Sequence, residues 1–275
     1  VAKPPAAAAT AGAETESEIA EAARLWQEMG TESPSFKNWS GGAPIVFEGD
    51  EIPSGPVVFK AFHGTSKDEN GEVLEYFSDA HIGKTSDVGF SGRGFYFSDN
   101  KETADAYALK AGGKKNGVVI SGYVKINEPL MLTRNQVPTG TKQLAQDLYN
   151  QPGYLESVMP AAKLQIRRWN RIIENNPNRL LSPGSPYRSE AIRMIAEKNG
   201  YDGIIVTDID SPGGKKVKEI IAFDSRQVKS VDNRGTFDPT DLRILRGVGV
   251  GAAALPAAGA LMADDEDEVK DDQEA

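Results

Sequence analysis

The chain has 275 residues, 39% of them hydrophobic, enough for one large domain with tails or for two small ones. It holds no cysteine and two histidines, which excludes disulfides, thiolate chemistry and a Cys-based metal site and argues against a His-rich one. Net charge is −9, and the last twelve residues, with eight acids and one lysine, carry −7 of it. The remainder is near neutral, so the acidity belongs to the tail and a broad nucleic-acid footprint is not supported.

In chain order, residues 1–16 are rich in Pro, Ala, Thr and Glu and read as a disordered leader. Val1 in place of Met points to a processed product or an excised fragment, and no signal-peptide pattern is visible. A helix is expected over 17–29 and loop over 30–56. "VVFKAF" from Val57 reads as a strand, with Phe59, Ala61 and His63 on one face by period two. "GFYFS", 94–98, is a second strand. "DNKETADAYALKAGG" is a helix, with Asp99 as expected N-cap, Glu102 three residues on, and Gly112-Gly113 as stop. Its expected apolar stripe is Ala104, Tyr107, Ala108 and Ala111.

"GVVISGYVKI", 117–126, is a strand, ended by "NEPL". Residues 140–176 read as helical, broken at Pro152-Gly153. "SPYRSEAIRMIAEKNG" carries a helix start at Ser185-Pro186 and a stop at Gly200. "GIIV", "VKEIIAF" and "QVKSV" read as strands, with "SPGGKK" as a turn. The simplest reading is an α+β domain over 56–245, after a linker at 1–55 and with a mainly helical insert at 135–190. Residues 246–275 form a Gly/Ala-rich apolar segment and the acidic tail. The uncharged run 247–263 is shorter than the ~20 residues of a spanning helix and reads as a flexible or docking tail, with membrane contact as the alternative.

Taken singly, the candidate functional residues have ordinary readings. His63 reads as a structural histidine, Tyr96 as a strand tyrosine and Tyr107 as core filling. Glu219 shares a strand face with Val217, Ile221 and Phe223, a costly place for a carboxylate unless it has a partner or the strand is a solvated edge. "SGRG", 91–94, lacks the spacing and the Lys-Ser/Thr of a phosphate loop.

Their order is more specific. "FHGTS", "GRGFYFSDNKETADAY" and "KEIIAFDSRQVKSV" together resemble the ADP-ribosyltransferases of the His-Tyr-Glu class, the diphtheria-toxin and poly(ADP-ribose) polymerase branch. The closing "NRGTFDPTDLRIL" is similar to bacterial and phage members, which sit in large phage or mobile-element polyproteins and in secreted effectors. The resemblance implies two packed, mainly antiparallel sheets with flanking helices around an NAD cleft, and no metal. It implies that His63 bonds the adenosine ribose, that Gly64 clamps the nicotinamide amide with Thr65 beside it, and that Tyr96 and Tyr107 sandwich the nicotinamide ring. Glu219 becomes the catalytic glutamate on the ribose 2′-hydroxyl, with His63 and Tyr96 in the catalytic set.

The implied partners are NAD, a protein acceptor, and virion or parent-polyprotein contacts, in a virion or a host cytoplasm. The polymerases carry a serine where this chain has Ala104, with Thr103 beside it, and the arginine-specific toxins carry an acidic or amide residue where it has Val217. A catalytically inactive fold used as a partner-binding module is the alternative. RNA 2′-phosphotransferase chemistry, which wants arginines near the phosphate, finds only Arg93 conveniently placed.

Overall fold

The computed structural model of the chain describes residues 16–68, 70–83 and 88–244. The expected leader, the 247–263 run and the acidic tail lie outside the described residues.

Helix α1, Glu16–Met29, matches its expected place, and the segment after it is more than loop. It holds a short helix α2, Pro34–Ser40, and a two-residue strand β1, Ile45–Val46. Too short to announce itself by periodicity, α2 is held by tertiary packing. Phe36 and Trp39 are buried against Val58 and Phe237, and Trp26 stacks on Phe36 with ring centroids 5.8 Å apart.

Strand β2 is longer than expected, Val57–Ser66, and runs past His63 instead of ending there. It pairs over its whole length with β4, Gly117–Ile126, which in turn pairs with β8, Val228–Ser230. Between them in sequence lie β3, Phe95–Ser98, and helix α3, Lys101–Asn116. The glycine stop acts as a kink: Gly113 leaves helical geometry at φ 64°, and a last turn continues to Asn116.

Strand β5, Pro129–Thr133, is not announced by the sequence pattern; it is half-exposed and takes its place by pairing in parallel with β6, Gly203–Asp210. Strand β7, Lys216–Ala222, lies between β6 and β3. Between β5 and β6 the chain forms the expected helices α4, Thr141–Tyr149, α5, Tyr154–Val158, α6, Lys163–Asn175, and α7, Pro186–Lys198.

By hydrogen bonding the strands make one eight-stranded mixed sheet in the order β5-β6-β7-β3-β2-β4-β8, with β1 added beside β2. The expected pair of separate sheets is replaced by two halves joined through a single register pair, Phe62 with Ser98. The main core, including Phe59, Ala61, Phe97, Val124, Ile205 and Ile220, collects residues of both halves. The opposite face of β6 and β7 packs Ile204, Val206 and Ile221 on α7.

Candidate active site

Strand β3 runs antiparallel to β2 and is paired with it in the sheet only through its last residue. Residues 95–97 and 63–66 therefore diverge where a regular sheet would pair them. A cleft of about 760 Å³ opens there, a size that suits a small-molecule ligand. His63, Gly64, Thr65, Tyr96, Tyr107 and Glu219 all lie on its wall.

The His63 ring fills the gap in the ladder. Its Nδ1 lies 2.6 Å from the Tyr96 carbonyl oxygen. A carbonyl only accepts, so Nδ1 carries the proton and Nε2 of the neutral ring keeps its lone pair. Burial lowers the histidine pKa, against a smaller opposing effect of that hydrogen bond. Phe77 edge-on at 5.0 Å and Phe97 at 5.4 Å fix the ring plane.

Gly64 is required by packing. A Cβ there would collide with the Ala104 carbonyl oxygen and come within 2.6 Å of the Ala108 nitrogen. Its absence lets α3 lie directly on β2. Of the expected stripe, Ala104 and Ala108 are buried in that contact, whereas Tyr107 is 41% exposed and lines the cleft. The core-filling reading of Tyr107 is therefore wrong. Lys110 Nζ sits 5.8 Å from its ring centroid, within cation–π range.

The helix cap is also corrected. Asn100, not Asp99, caps α3, accepting from the Thr103 N–H at 2.9 Å and from the Thr103 hydroxyl at 3.0 Å. Asp99 has another role. Its buried carboxylate accepts the Lys218 backbone N–H at 2.8 Å and pairs with Lys218 Nζ at 3.1 Å. This clamp holds the end of β3 to β7 one residue before Glu219, which stands opposite Ser98.

The simplest account of Glu219, a solvated edge strand, does not hold, because β7 is central, with β6 on one side and β3 on the other. Glu219 is half-buried, Val217 and Ile221 on its face are buried, and its carboxylate belongs to the cleft wall.

Arg93 is turned away from this chemistry. It is buried, its Nε bonds Glu190 at 2.5 Å and its Nη1 bonds Asp79 at 2.7 Å, and it is not among the residues lining the cleft. Burial works against its charge, yet Glu190 and Asp79 hold its pKa above the ordinary arginine value. Tyr154 donates to the other Glu190 oxygen at 3.2 Å. On α7, Arg188 donates to the Phe90 carbonyl, and Arg193 bonds the Arg93 and Phe223 carbonyls and stacks on the Phe223 ring at 4.0 Å. These ties fix Asp79 and residues 90–93, beside the cleft, to the helical segment.

The sequence reading also passes over His81, exposed on the cleft wall, so both histidines of the chain line this one cavity. Among the described residues no cluster of three side chains suited to a metal ion occurs, and no helix is long and apolar enough to cross a membrane.

A mixed α/β domain whose sheet splits around such a cleft is compatible with an ADP-ribosyltransferase fold. The family described as ADP-ribosyltransferase in polyvalent proteins matches residues 55–237, and the chain belongs to it. Transferases of this superfamily take NAD as substrate. No curated protein and no solved structure matches the chain.

Proposed function

We propose that the cleft binds NAD and transfers its ADP-ribose to a protein acceptor, releasing nicotinamide. The observation that carries this reading is Glu219, a carboxylate half-buried in a central strand, on the same wall as His63, Tyr96 and Tyr107. The dinucleotide is read as lying where the two halves of the sheet part, beyond their single pair at Phe62 and Ser98.

Cleavage of the C1′–nicotinamide bond passes through an oxocarbenium-like state, as in glycoside cleavage. The leaving nicotinamide takes the bonding electron pair and departs neutral. Glu219 accepts from the ribose 2′-hydroxyl and stabilises positive charge that grows only in that state. Tyr107 and Tyr96 hold the pyridinium ring between them, where aromatic faces favour a cation. Gly64 offers backbone to the carboxamide. His63, its Nδ1–H already donated in a hydrogen bond to the Tyr96 carbonyl, accepts a hydrogen bond from an adenosine ribose hydroxyl at Nε2. The acceptor then bonds C1′ and gives up a proton. As a module of a phage or bacterial polyprotein, the domain would act in a virion or after delivery into a host cytoplasm.

A second reading, an inactive fold kept as a partner-binding module, has one observation in its favour. Ala104 replaces the serine of the polymerases, and the neighbouring Thr103 hydroxyl is committed to Asn100.

Incubation with NAD labelled in its adenylate half, alone and with bacterial lysate, separates the readings. Glu219→Gln is expected to lower nicotinamide release by about 10²–10³-fold while NAD affinity by calorimetry stays within a few-fold. NAD binding without release by the unaltered chain supports the inactive module. Neither binding nor release defeats the proposal.

A further inference from the structure

Helix α6 presents an unusual surface for so acidic a chain. Lys163, Arg167, Arg168 and Arg171 fall on one side of it and are exposed. The opposite side buries Ile166 and Ile173 in the core of the helical segment. Arg179, just beyond, is exposed too, and Glu174 is the only acid of the helix. Elsewhere the exposed cations Arg24, Lys101, Arg134 and Lys216 have a carboxylate partner, and exposed lysines without one, such as Lys110, Lys142 and Lys198, are spread over separate elements. None of the five cations on and just beyond α6 forms an ion pair among the described residues. Leu164 stands amid them 80% exposed, and a surface depression on this side is lined by Arg168, Arg171, Ile172 and Asn175.

Like charges set four residues apart on one helix repel, so this face gains most from an anionic partner. The exposed leucine adds a preference for a partner with an apolar residue beside its charges.

We infer that this face docks the chain's own acidic run, Asp264–Glu274. That run carries −7 of the chain's net charge of −9, and Leu261 and Met262 stand just before it, separated by Ala263. The path is short enough. Ile244 is tied to Glu75 by a 2.8 Å backbone hydrogen bond, and the segment from Glu75 leads to Gly83. The Gly83 carbonyl accepts from Gln165 of α6 at 2.9 Å. Residues 245–263 between Ile244 and the acids can span about 60 Å when extended. Tethering raises the local tail concentration to roughly the millimolar range, which makes individually weak surface ion pairs sufficient.

The full chain serves for the test. It has no native cysteine, so Val269→Cys takes a single nitroxide label within the acidic run without altering its charge. At low salt, amide signals of residues 163–175 are expected to broaden selectively. At 0.5 M NaCl, with the Debye length reduced to about 4–5 Å, the broadening should fall at least tenfold. The same loss is expected in Arg167→Glu/Arg168→Glu/Arg171→Glu, whose other amide signals should keep their dispersion because the three side chains are exposed. Unchanged broadening in that variant overturns the inference, as does the absence of broadening on α6 at low salt. A single-stranded oligonucleotide that shifts α6 signals without competing with the label would assign the face to another partner and reject the tail.

Discussion

Two regions of the molecule use charged and polar side chains in opposite ways. Around the cleft, on β2, β3, β7 and α3, the polar side chains are half-buried or exposed and line the cavity, as with Glu219 and His63, half-buried, and Tyr107, exposed. Where the helical segment meets the loop before β3, the charges with structural roles are buried and mutually satisfied, as with Arg93, Glu190 and Arg193. The first region sets its polar groups along a cavity wall. The second uses its hydrogen-bonding capacity internally to fix residues beside the cleft to α7. A buried charge with partners is a mark of architecture, and a half-buried one facing a cavity is a mark of chemistry.

That contrast can be broken most severely at Arg93. Arg93→Ala leaves Glu190 buried without its cation, and breaking a buried pair in this way costs about 3–5 kcal/mol, measurable by urea denaturation. A loss below about 1 kcal/mol would place the pair with weak surface bridges.

Gly64 tests the boundary between the two uses. Gly64→Ala forces α3 off β2 and should cost about 1–3 kcal/mol by overpacking, with NAD affinity falling alongside in calorimetry. Full stability with lost affinity would mean that the glycine serves the ligand alone.

Tyr107→Ala sharpens the cleft side. An exposed side chain should change stability by no more than about 0.5 kcal/mol, while loss of a cation–π wall should weaken NAD binding roughly tenfold. An unfolded variant would return Tyr107 to the core.

The smallest effect is on pH. The folded-state pKa of His63 is depressed by burial, so the unfolded chain binds its proton more readily. The stabilisation is fully present above the ordinary histidine value near 6.5 and is lost as pH falls through the lowered folded-state value. His63→Asn should flatten this part of the stability–pH profile in thermal melts. An unaltered profile would assign it to other groups.

Much of the cleft was legible because its residues stand in local motifs. The spacing from Tyr96 to Tyr107 places one on a strand and the other on the following helix, and the alternation around Glu219 gives its face. What was illegible depended on distant partners. Asp99 looked like a cap because caps are read from the next three residues, whereas its partner Lys218 lies 119 residues away. Tyr107 looked like core because an apolar stripe shows which residues share a side, not where the neighbouring strand stops. β5 and α2 were missed because each is too short to carry a period and exists through what it packs or pairs with.

By itself, then, the amino-acid sequence determined six of the residues that line the cleft, the helices of the 140–198 segment and the family to which the chain belongs, because these rest on local order and spacing. The tertiary structure alone decided that β2 and β3 part after a single pair at Phe62 and Ser98, that Glu219 lies in a central strand, and that Arg93 is withdrawn into buried ion pairs. Each of these depends on strand register or burial, which arise only when segments far apart in the chain compete for the same space.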